Sequence, residues 1–341
     1  MVRKQHRTAV AIVAAVFLPP SVAHAGPGAS NIVGYQVRPA VEVEERSANT
    51  HTDAFEPTVN TSEYLDRKLA GPYQAVVVSA GEVELYASDG ASPFEPQRVA
   101  SVSKLITTTA VFRLVEDGRL SLESAISDHL PFSIDDRWVD VTILNLLQQQ
   151  SGLPADRFSW FGGQWDTCEA AAQEALTRAP LSREYRYSNH NFCVLSLIIE
   201  QVTDTSFFDA VDDTVFTPLR MTSPVLDETY QHLAGAGAFA VSAIDLALLM
   251  AALQDQSLTA PNFLTATSKN LMRNRNVWNY GTGTWVFDNG SWGHSGTLSE
   301  GRNIVVELAD TSQIVIIQNQ SNHLRSGLNL FPYATHLARS T

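Results

Sequence analysis

The chain has 341 residues, of which 44% are hydrophobic, and a formal net charge of −13. This hydrophobic content is enough for a substantial buried core, in one large domain or two closely packed ones, and it excludes a disordered chain. The acidic balance makes nucleic acids and anionic membrane surfaces poor candidate partners.

The start of the chain has the pattern of a secretory signal peptide. Three basic residues precede an apolar run from Thr8 to Leu18, and a small-residue cleavage site follows at Ala23 to Ala25. The apolar run is too short to span a bilayer, which takes about 20 residues. We therefore expect residues 1–25 to be removed by cleavage after Ala25, which leaves a secreted or periplasmic protein without a membrane span.

After the signal peptide, residues 26–58 are polar and show no sustained period, which predicts a loosely ordered arm. The folded domain is expected over 59–341. It opens with a short helix and a β-hairpin, predicted at Tyr64 to Leu69, Gln74 to Ser79 and Val83 to Ala87.

Helical patterns dominate the middle of the chain. Ser101 to Val115 has apolar residues three or four apart, which predicts a helix with one buried face that ends near Gly118. Ser242 is predicted to cap a later helix whose apolar face is Ile244 to Leu253. Between these two helices, patterns interrupted by Pro and Gly predict helices at Thr142 to Gln149, Glu169 to Ala179, Cys193 to Val202 and Phe207 to Val215.

The C-terminal part is predicted to form strands. Alternating runs between turn residues indicate antiparallel strands at Trp285 to Phe287, Gly293 to Thr297, Asn303 to Leu308 and Ile314 to Gln318, before a last helix at about Leu324 to Ala338. Strands at both ends of the domain indicate an α/β (α+β) fold. Its antiparallel sheet is expected from 59–140 and 233–341, with an inserted helical part at 141–232. We expect the active site where the two parts meet.

Cys168 and Cys193 are the only cysteines of the chain. In an exported protein an even pair favours a disulfide over a metal site or a catalytic thiol. The alternative is a pair of buried free thiols. The sequence indicates neither a metal site nor an organic cofactor.

Ser101 and Lys104 lie three residues apart at the start of a predicted helix, so their side chains share one face. A serine hydroxyl becomes a strong nucleophile when a neighbour takes its proton, and a lysine can do so only when its pKa is lowered. A helix start also directs backbone N–H groups at a developing oxyanion. The alternative is an N-cap serine followed by a solvated lysine. Against this, Ser-x-x-Lys occurs only once in the chain.

Two further motifs supply candidate partners. Tyr187-Ser188-Asn189 is the only Tyr-x-Asn of the chain and offers a phenol and an amide in a predicted loop. His294-Ser295-Gly296, followed by Thr297, lies in a predicted strand, where glycine lets a substrate backbone approach closely. Each motif has an ordinary alternative, a half-buried aromatic side chain for the tyrosine and a turn or edge-strand residue for the histidine.

In this order, Ser-x-x-Lys, Tyr-x-Asn and His-x-Gly resemble the three motifs of the superfamily of class C β-lactamases and D-alanyl-D-alanine carboxypeptidases. The resemblance extends over roughly Leu65 to Asn322 and includes the segment from Leu146 to Pro154. It implies the β-lactamase/transpeptidase-like fold.

The resemblance also implies a role for each motif residue. Ser101 would form an acyl-enzyme while Lys104 and Tyr187 transfer its proton. Asn189 would hydrogen-bond the substrate amide, and His294 would line the opposite wall of the pocket. The other implied substrate contacts are the backbone N–H groups of Ser101 and Thr297 as an oxyanion hole, the close approach at Gly296, and the hydroxyls of Ser295 and Thr297 for a substrate carboxylate.

The third motif helps to choose among the relatives. Class C β-lactamases have Lys where this chain has His294, whereas secreted carboxypeptidases of the family often have His. The resemblance therefore favours a D-alanyl-D-alanine carboxypeptidase-like peptidase over a β-lactamase or an esterase of the same fold. Those carboxypeptidases generally carry an Arg in the preceding strand to bind a carboxylate, and 282–292 contains none, which leaves Arg302 as the candidate substitute.

A different class also stays open, namely a penicillin-binding sensor or scaffold that does not turn over. In either case the expected ligand is a small molecule or peptide, which means a cell-wall peptide, a β-lactam or an ester. We expect no cofactor and a monomer.

Overall fold

A computed structural model of the chain describes residues 61–340, apart from 89, 156–164, 179, 255, 257, 259, 261 and 276–278. The predicted signal peptide and polar arm therefore lie outside the described residues. Within the described ranges, no helix is both long enough and apolar enough to cross a membrane.

The described residues contain nine strands, which are β1 (Tyr73–Ser79), β2 (Glu82–Ala87), β3 (Gln97–Arg98), β4 (Val225–Leu226), β5 (Phe239–Val241), β6 (Trp285–Val286), β7 (Trp292–Thr297), β8 (Arg302–Glu307) and β9 (Ile314–Asn319). Six of them form an antiparallel sheet in the order β2-β1-β9-β8-β7-β6. Strand β1 pairs with β9, with Val76 opposite Ile316, so the sheet joins the two ends of the domain as predicted. Strands β3, β5 and β4 form a second, small sheet.

The same residues contain ten α-helices, which are α1 (Thr61–Lys68), α2 (Ser103–Glu116), α3 (Ile143–Leu147), α4 (Cys168–Leu176), α5 (Asn189–Thr203), α6 (Phe207–Val211), α7 (Ala234–Gly237), α8 (Ala243–Leu253), α9 (Ala266–Arg273) and α10 (Phe331–Ser340).

The six-stranded sheet separates two apolar layers, because neighbouring side chains of a strand point to opposite faces of a sheet. Val77 and Ile317 lie in the layer with α1 and α10. Val76 and Ile316 lie in the layer with α2 and α8.

Helix α2 differs from its prediction in two ways. It begins at Ser103, because residues 100–102 form a tight 3₁₀ turn that leads into it. It is also buried on nearly every side, including Thr107 and Thr108, so the expectation of a single buried face is wrong. The physical reason is its position, since α2 packs against α5, α6 and α7 and also contacts β7 of the sheet.

Other helix boundaries were predicted with mixed success. Ser242 caps α8 as predicted, and its Oγ accepts a hydrogen bond from Asp245 N at 3.2 Å. Helix α5 begins at Asn189, before the predicted start, because the Ser188 hydroxyl caps its first turn. The last helix begins later than predicted, since residues 327–330 form a 3₁₀ turn before Phe331.

Candidate active site

Ser101 lies half-buried in the 3₁₀ turn that precedes α2. The residue before it, Ala100, has φ +51°, in the left-handed region that costs an L-residue about 1–2 kcal/mol. Such a conformation persists only where the surrounding packing holds it. The N-terminus of α2 directly follows the turn, so the positive end of the helix dipole lies near the serine.

Strand β7 lies directly against this turn because of Gly296. A Cβ atom at Gly296 would lie 2.0 Å from the Val99 carbonyl oxygen and 3.1 Å from the Ala100 Cβ. Any side chain would therefore push the strand away from the serine. This contact places the strand that carries His294 and Thr297 beside Ser101.

Lys104 connects the serine to the helical part of the fold. Its Nζ lies 3.2 Å from Ser101 Oγ and donates to Asn189 Oδ1 at 2.5 Å and to the Ala236 carbonyl at 2.7 Å. The side chain has no exposed surface, so the amine is removed from bulk water. The hydrogen bonds to Asn189 and Ala236 hold the amine within hydrogen-bonding distance of the serine hydroxyl.

The carbonyl of Ala236 comes from the short helix α7. Next to it, a Cβ at Gly235 would lie 2.5 Å from the Phe192 carbonyl oxygen, so only glycine allows α7 to pack this closely on α5. Thr107 of α2 donates to the Gly235 carbonyl at 2.8 Å. Helices α2, α5 and α7 thus meet around the lysine amine.

Tyr187 contributes its ring to the same cluster. The Lys104 amine lies 5.0 Å from the ring centroid. The Tyr187 ring is stacked on Trp285, with centroids 5.7 Å apart, and meets Tyr280 edge-on at 6.0 Å. The tyrosine is half-buried, so an aromatic wall surrounds one side of the phenol.

His294 lies next to this wall and is neutral near neutral pH. Its Nδ1 donates to the Ser295 carbonyl at 2.8 Å, and its ring lies 6.2 Å from Tyr280 and 6.1 Å from Trp285. Burial lowers the pKa of His294 to about 3, and the charge of Lys104 acts in the same direction. The histidine therefore supplies hydrogen-bonding groups and no positive charge.

The remaining motif residues lie along the same strand. Ser295 is buried and Thr297 is exposed. The Thr297 hydroxyl accepts a hydrogen bond from Gly327 N at 2.9 Å, which leaves its own O–H available as a donor. The structure therefore brings together all three motifs that the sequence singled out.

Arg302 is the candidate substitute for the missing carboxylate-binding arginine, and backbone carbonyls engage its guanidinium. Its guanidinium donates to the Leu324 carbonyl at 2.7 Å, to the Gly301 carbonyl at 2.8 Å and to the Leu298 carbonyl. Arg98, near the serine, is paired with Asp227 and Glu300. Both arginines fix backbone or acidic groups in their neighbourhood.

Cys168 and Cys193 form a disulfide between the first residue of α4 and the second turn of α5, with Cα atoms 5.0 Å apart. Helix α5 begins at Asn189, so the bond lies one turn from the Tyr-x-Asn motif. The bond therefore joins α4 to the helix that begins within this motif. Among the described residues, no group of three or more His, Cys, Asp or Glu is arranged to hold a metal ion.

Sequence reasoning missed several members of the cluster. Trp285 and Tyr280 surround the phenol, but neither belongs to a motif with a chemical signature. Ala236 contributes its backbone carbonyl, which every residue type has, so the sequence cannot single this residue out. Gln149 lies in the segment from Leu146 to Pro154 that carried the family resemblance, yet its side chain was given no role.

An antiparallel sheet with flanking helices, and a serine, a lysine and a tyrosine at their junction, are the features of the β-lactamase/transpeptidase-like fold. The chain belongs to the Beta-lactamase family, which it matches over residues 60–337.

The chain is similar to Protein flp of Staphylococcus aureus (strain NCTC 8325 / PS 47), with 32% identity over 148 residues, 41% of this chain and 30% of that protein. It is also similar to Penicillin-binding protein 4 of Amycolatopsis lactamdurans, with 36% identity over 126 residues, 35% of this chain and 33% of that protein. The matches thus span about a third of the length of these curated relatives. A solved structure of D-amino acid amidase from Ochrobactrum anthropi SV3, complexed with L-phenylalanine amide, shares the fold, with a TM-score of 0.69 at 16% identity over 82% of this chain and 96% of that one.

Proposed function

We propose that the chain is an exported serine peptidase or amidase that forms an acyl-enzyme at Ser101, in its narrower form a D-alanyl-D-alanine carboxypeptidase-like enzyme. The observation that carries the proposal is the set of contacts of Lys104. Two of its partners, the Asn189 amide oxygen and the Ala236 carbonyl, can only accept hydrogen bonds. The Lys104 nitrogen that donates to both lies 3.2 Å from Ser101 Oγ, where its deprotonated form would take up the serine proton.

This geometry supports the following reaction. The Ser101 proton passes to the Lys104 nitrogen as Oγ forms a bond to the substrate carbonyl carbon. The backbone N–H groups of Ser101 and Thr297 stabilise the resulting oxyanion. The leaving amine departs with a proton delivered through Tyr187, and a water molecule then hydrolyses the ester and restores the serine. Asn189 and His294 hold the substrate amide on its two sides.

The charges around the site favour a substrate with an uncharged end. His294 is neutral, and the guanidinium of Arg302 is engaged with carbonyl groups. An amidase or esterase acting on such substrates is therefore the second candidate, and the name of the D-amino acid amidase neighbour agrees with it. Carboxypeptidase activity requires that the Ser295 and Thr297 hydroxyls suffice to bind a terminal carboxylate.

The test combines labelling with substrate comparison. Intact-mass analysis after incubation with a fluorescent penicillin or a p-nitrophenyl ester should show one acyl group on Ser101. The adduct should be absent in Ser101→Ala and present in Ser299→Ala, which removes an exposed hydroxyl of the β7–β8 turn. Activity that survives in Ser101→Ala would remove the mechanism.

The type of label and the preferred substrate separate the candidate functions. A penicillin label that persists favours a peptidase or a sensor, and one that is hydrolysed quickly favours a β-lactamase. The kcat/KM for a peptide ending in D-Ala-D-Ala is then compared with that for its C-terminal amide. Preference for the free acid supports the carboxypeptidase, preference for the amide supports the amidase, and no turnover of either peptide or of the ester supports the sensor.

A further inference from the structure

One residue on another element, Gln149, binds the chain on both sides of Tyr187. Arg186 N donates to the Gln149 carbonyl at 2.8 Å, and Ser188 N donates to Gln149 Oε1 at 2.9 Å. The two neighbours of the tyrosine are thus bound by the backbone and the side chain of one glutamine. Hydrogen bonds to both neighbours restrain the backbone of Tyr187 and with it the direction in which its Cα–Cβ bond points.

Gln149 is itself fixed in a buried network. It is 1% exposed and has φ +59°, a left-handed conformation that a glutamine rarely adopts. Its Oε1 also accepts from Asn191 Nδ2 at 2.5 Å, and Asn191 Oδ1 accepts from Ser151 Oγ at 2.6 Å. The amide oxygen therefore ties the loop before α5 to the first turn of α5 and to the segment after α3.

The end of α3 also holds the aromatic wall behind the phenol. Gly283 N donates to the Leu147 carbonyl at 3.0 Å, within the segment that carries Tyr280 and Trp285. The Tyr187 ring is stacked on Trp285. The turn at residues 147–149 thus positions both the backbone of the tyrosine and the rings that its phenol contacts.

We propose that Gln149 is a positioning residue that holds Tyr187 beside Lys104, through the hydrogen bond from Ser188 N to its side-chain oxygen. The consequence for catalysis rests on the proposed function, in which Tyr187 transfers the serine proton. Without the amide oxygen, Ser188 N–H and the Asn191 amide lose a buried acceptor, and the loop relaxes away from the lysine. A shift of about 1 Å in a proton-transfer group is enough to cost about 100-fold in rate.

Three variants of the full mature protein test this proposal. Gln149→Leu removes the acceptor at similar volume, and Gln149→Glu keeps an oxygen in its place. Gln148→Leu is the matched control, because it removes the neighbouring amide, whose contact to Thr282 Oγ1 is long, at 3.4 Å. Hydrogen–deuterium exchange of the peptide covering 184–191 reports the position of the loop without reference to activity. The acylation rate of Ser101 by a p-nitrophenyl ester reports the chemistry.

We expect faster exchange of the Ser188 amide in Gln149→Leu, with wild-type protection in Gln149→Glu and Gln148→Leu. In parallel, kcat should fall by about 100-fold in Gln149→Leu at a KM within about twofold, and recover by at least about tenfold in Gln149→Glu. Unchanged exchange in Gln149→Leu overturns the proposal, and so does faster exchange with an unchanged kcat. If the wild type shows no acylation of Ser101, the proposed function fails, and the exchange result still decides whether Gln149 holds the loop.

Discussion

The contact between β7 and the serine turn gives the sharpest prediction. In Gly296→Ala the new Cβ would lie 2.0 Å from the Val99 carbonyl oxygen, whereas an ordinary contact begins at 3.4 Å. The two backbones must therefore separate by about 1.4 Å, since neither atom belongs to a flexible side chain. Overpacking of this kind costs about 1–3 kcal/mol, which lowers Tm by several degrees in a protein of this size. The displaced strand carries Thr297, so kcat/KM for acylation should fall by at least about 100-fold.

Gly301→Ala is the matched control for this prediction. It lies in the turn that follows the same strand, its nearest neighbour would be the Asn319 carbonyl oxygen at 3.5 Å, and its φ lies outside the left-handed region. Thermal unfolding and p-nitrophenyl ester kinetics are measured on both variants. If Gly296→Ala matches Gly301→Ala in Tm and in kcat/KM, the close packing of strand and turn does not set the geometry of the site.

Three further predictions concern the lysine, the disulfide and two histidines. Lys104→Met should abolish acylation but change the unfolding free energy measured in urea by less than about 4 kcal/mol, because the cost of leaving its acceptors unpaired is partly offset by removing the cost of burying the amine. Replacing both Cys168 and Cys193 by Ala opens a loop with a sequence separation of 25, and should lower the unfolding free energy by about 3 kcal/mol; an unchanged value would contradict the entropic argument. Burial, the largest cause for each, lowers the pKa of His190 and of His294 from 6.5 to about 3, so unfolding takes up protons between these values. Stability should therefore fall by up to about 1.4 kcal/mol per pH unit for each histidine as pH drops from 6.5 towards 3, and His294→Asn should reduce this slope in urea unfolding at a series of pH values.

Local geometry explains which parts of the site could be predicted from the sequence. Ser101 and Lys104 are three residues apart, and helical spacing alone places their side chains together. The helix in fact begins at Ser103, yet the preceding 3₁₀ turn preserves the contact at 3.2 Å. Tyr187 and His294 are distant in the chain, and only the order of motifs in a known family connected them with the serine.

Other features leave little or no signal in the sequence. Helix α2 has apolar residues three or four apart, yet its threonines are buried as well, and the apolar period gives no sign of this burial on nearly every side. Strands β3, β4 and β5 have two or three residues each, which is too short for alternation to be seen. The roles of Ala236 and Gln149 depend on atoms that meet only after folding. The signal peptide, the polar arm and the boundaries of the helical insertion stay predictions.

The proposed catalytic geometry depends on two places where backbones approach more closely than any side chain would allow. At Gly296 the strand meets the serine turn, and at Gly235 the helix that provides the Ala236 carbonyl meets α5. The first contact sets the distance between Ser101 and the strand that would bind the substrate. The second sets the acceptor that directs the lysine amine at the serine. Because the nearest neighbour of each glycine is a backbone carbonyl oxygen, a side chain at either position would shift a backbone segment. The two glycines would thus fix Ser101 and Lys104, the proposed nucleophile and base, whereas side chains such as Trp285 and His294 are expected to set the substrate preference.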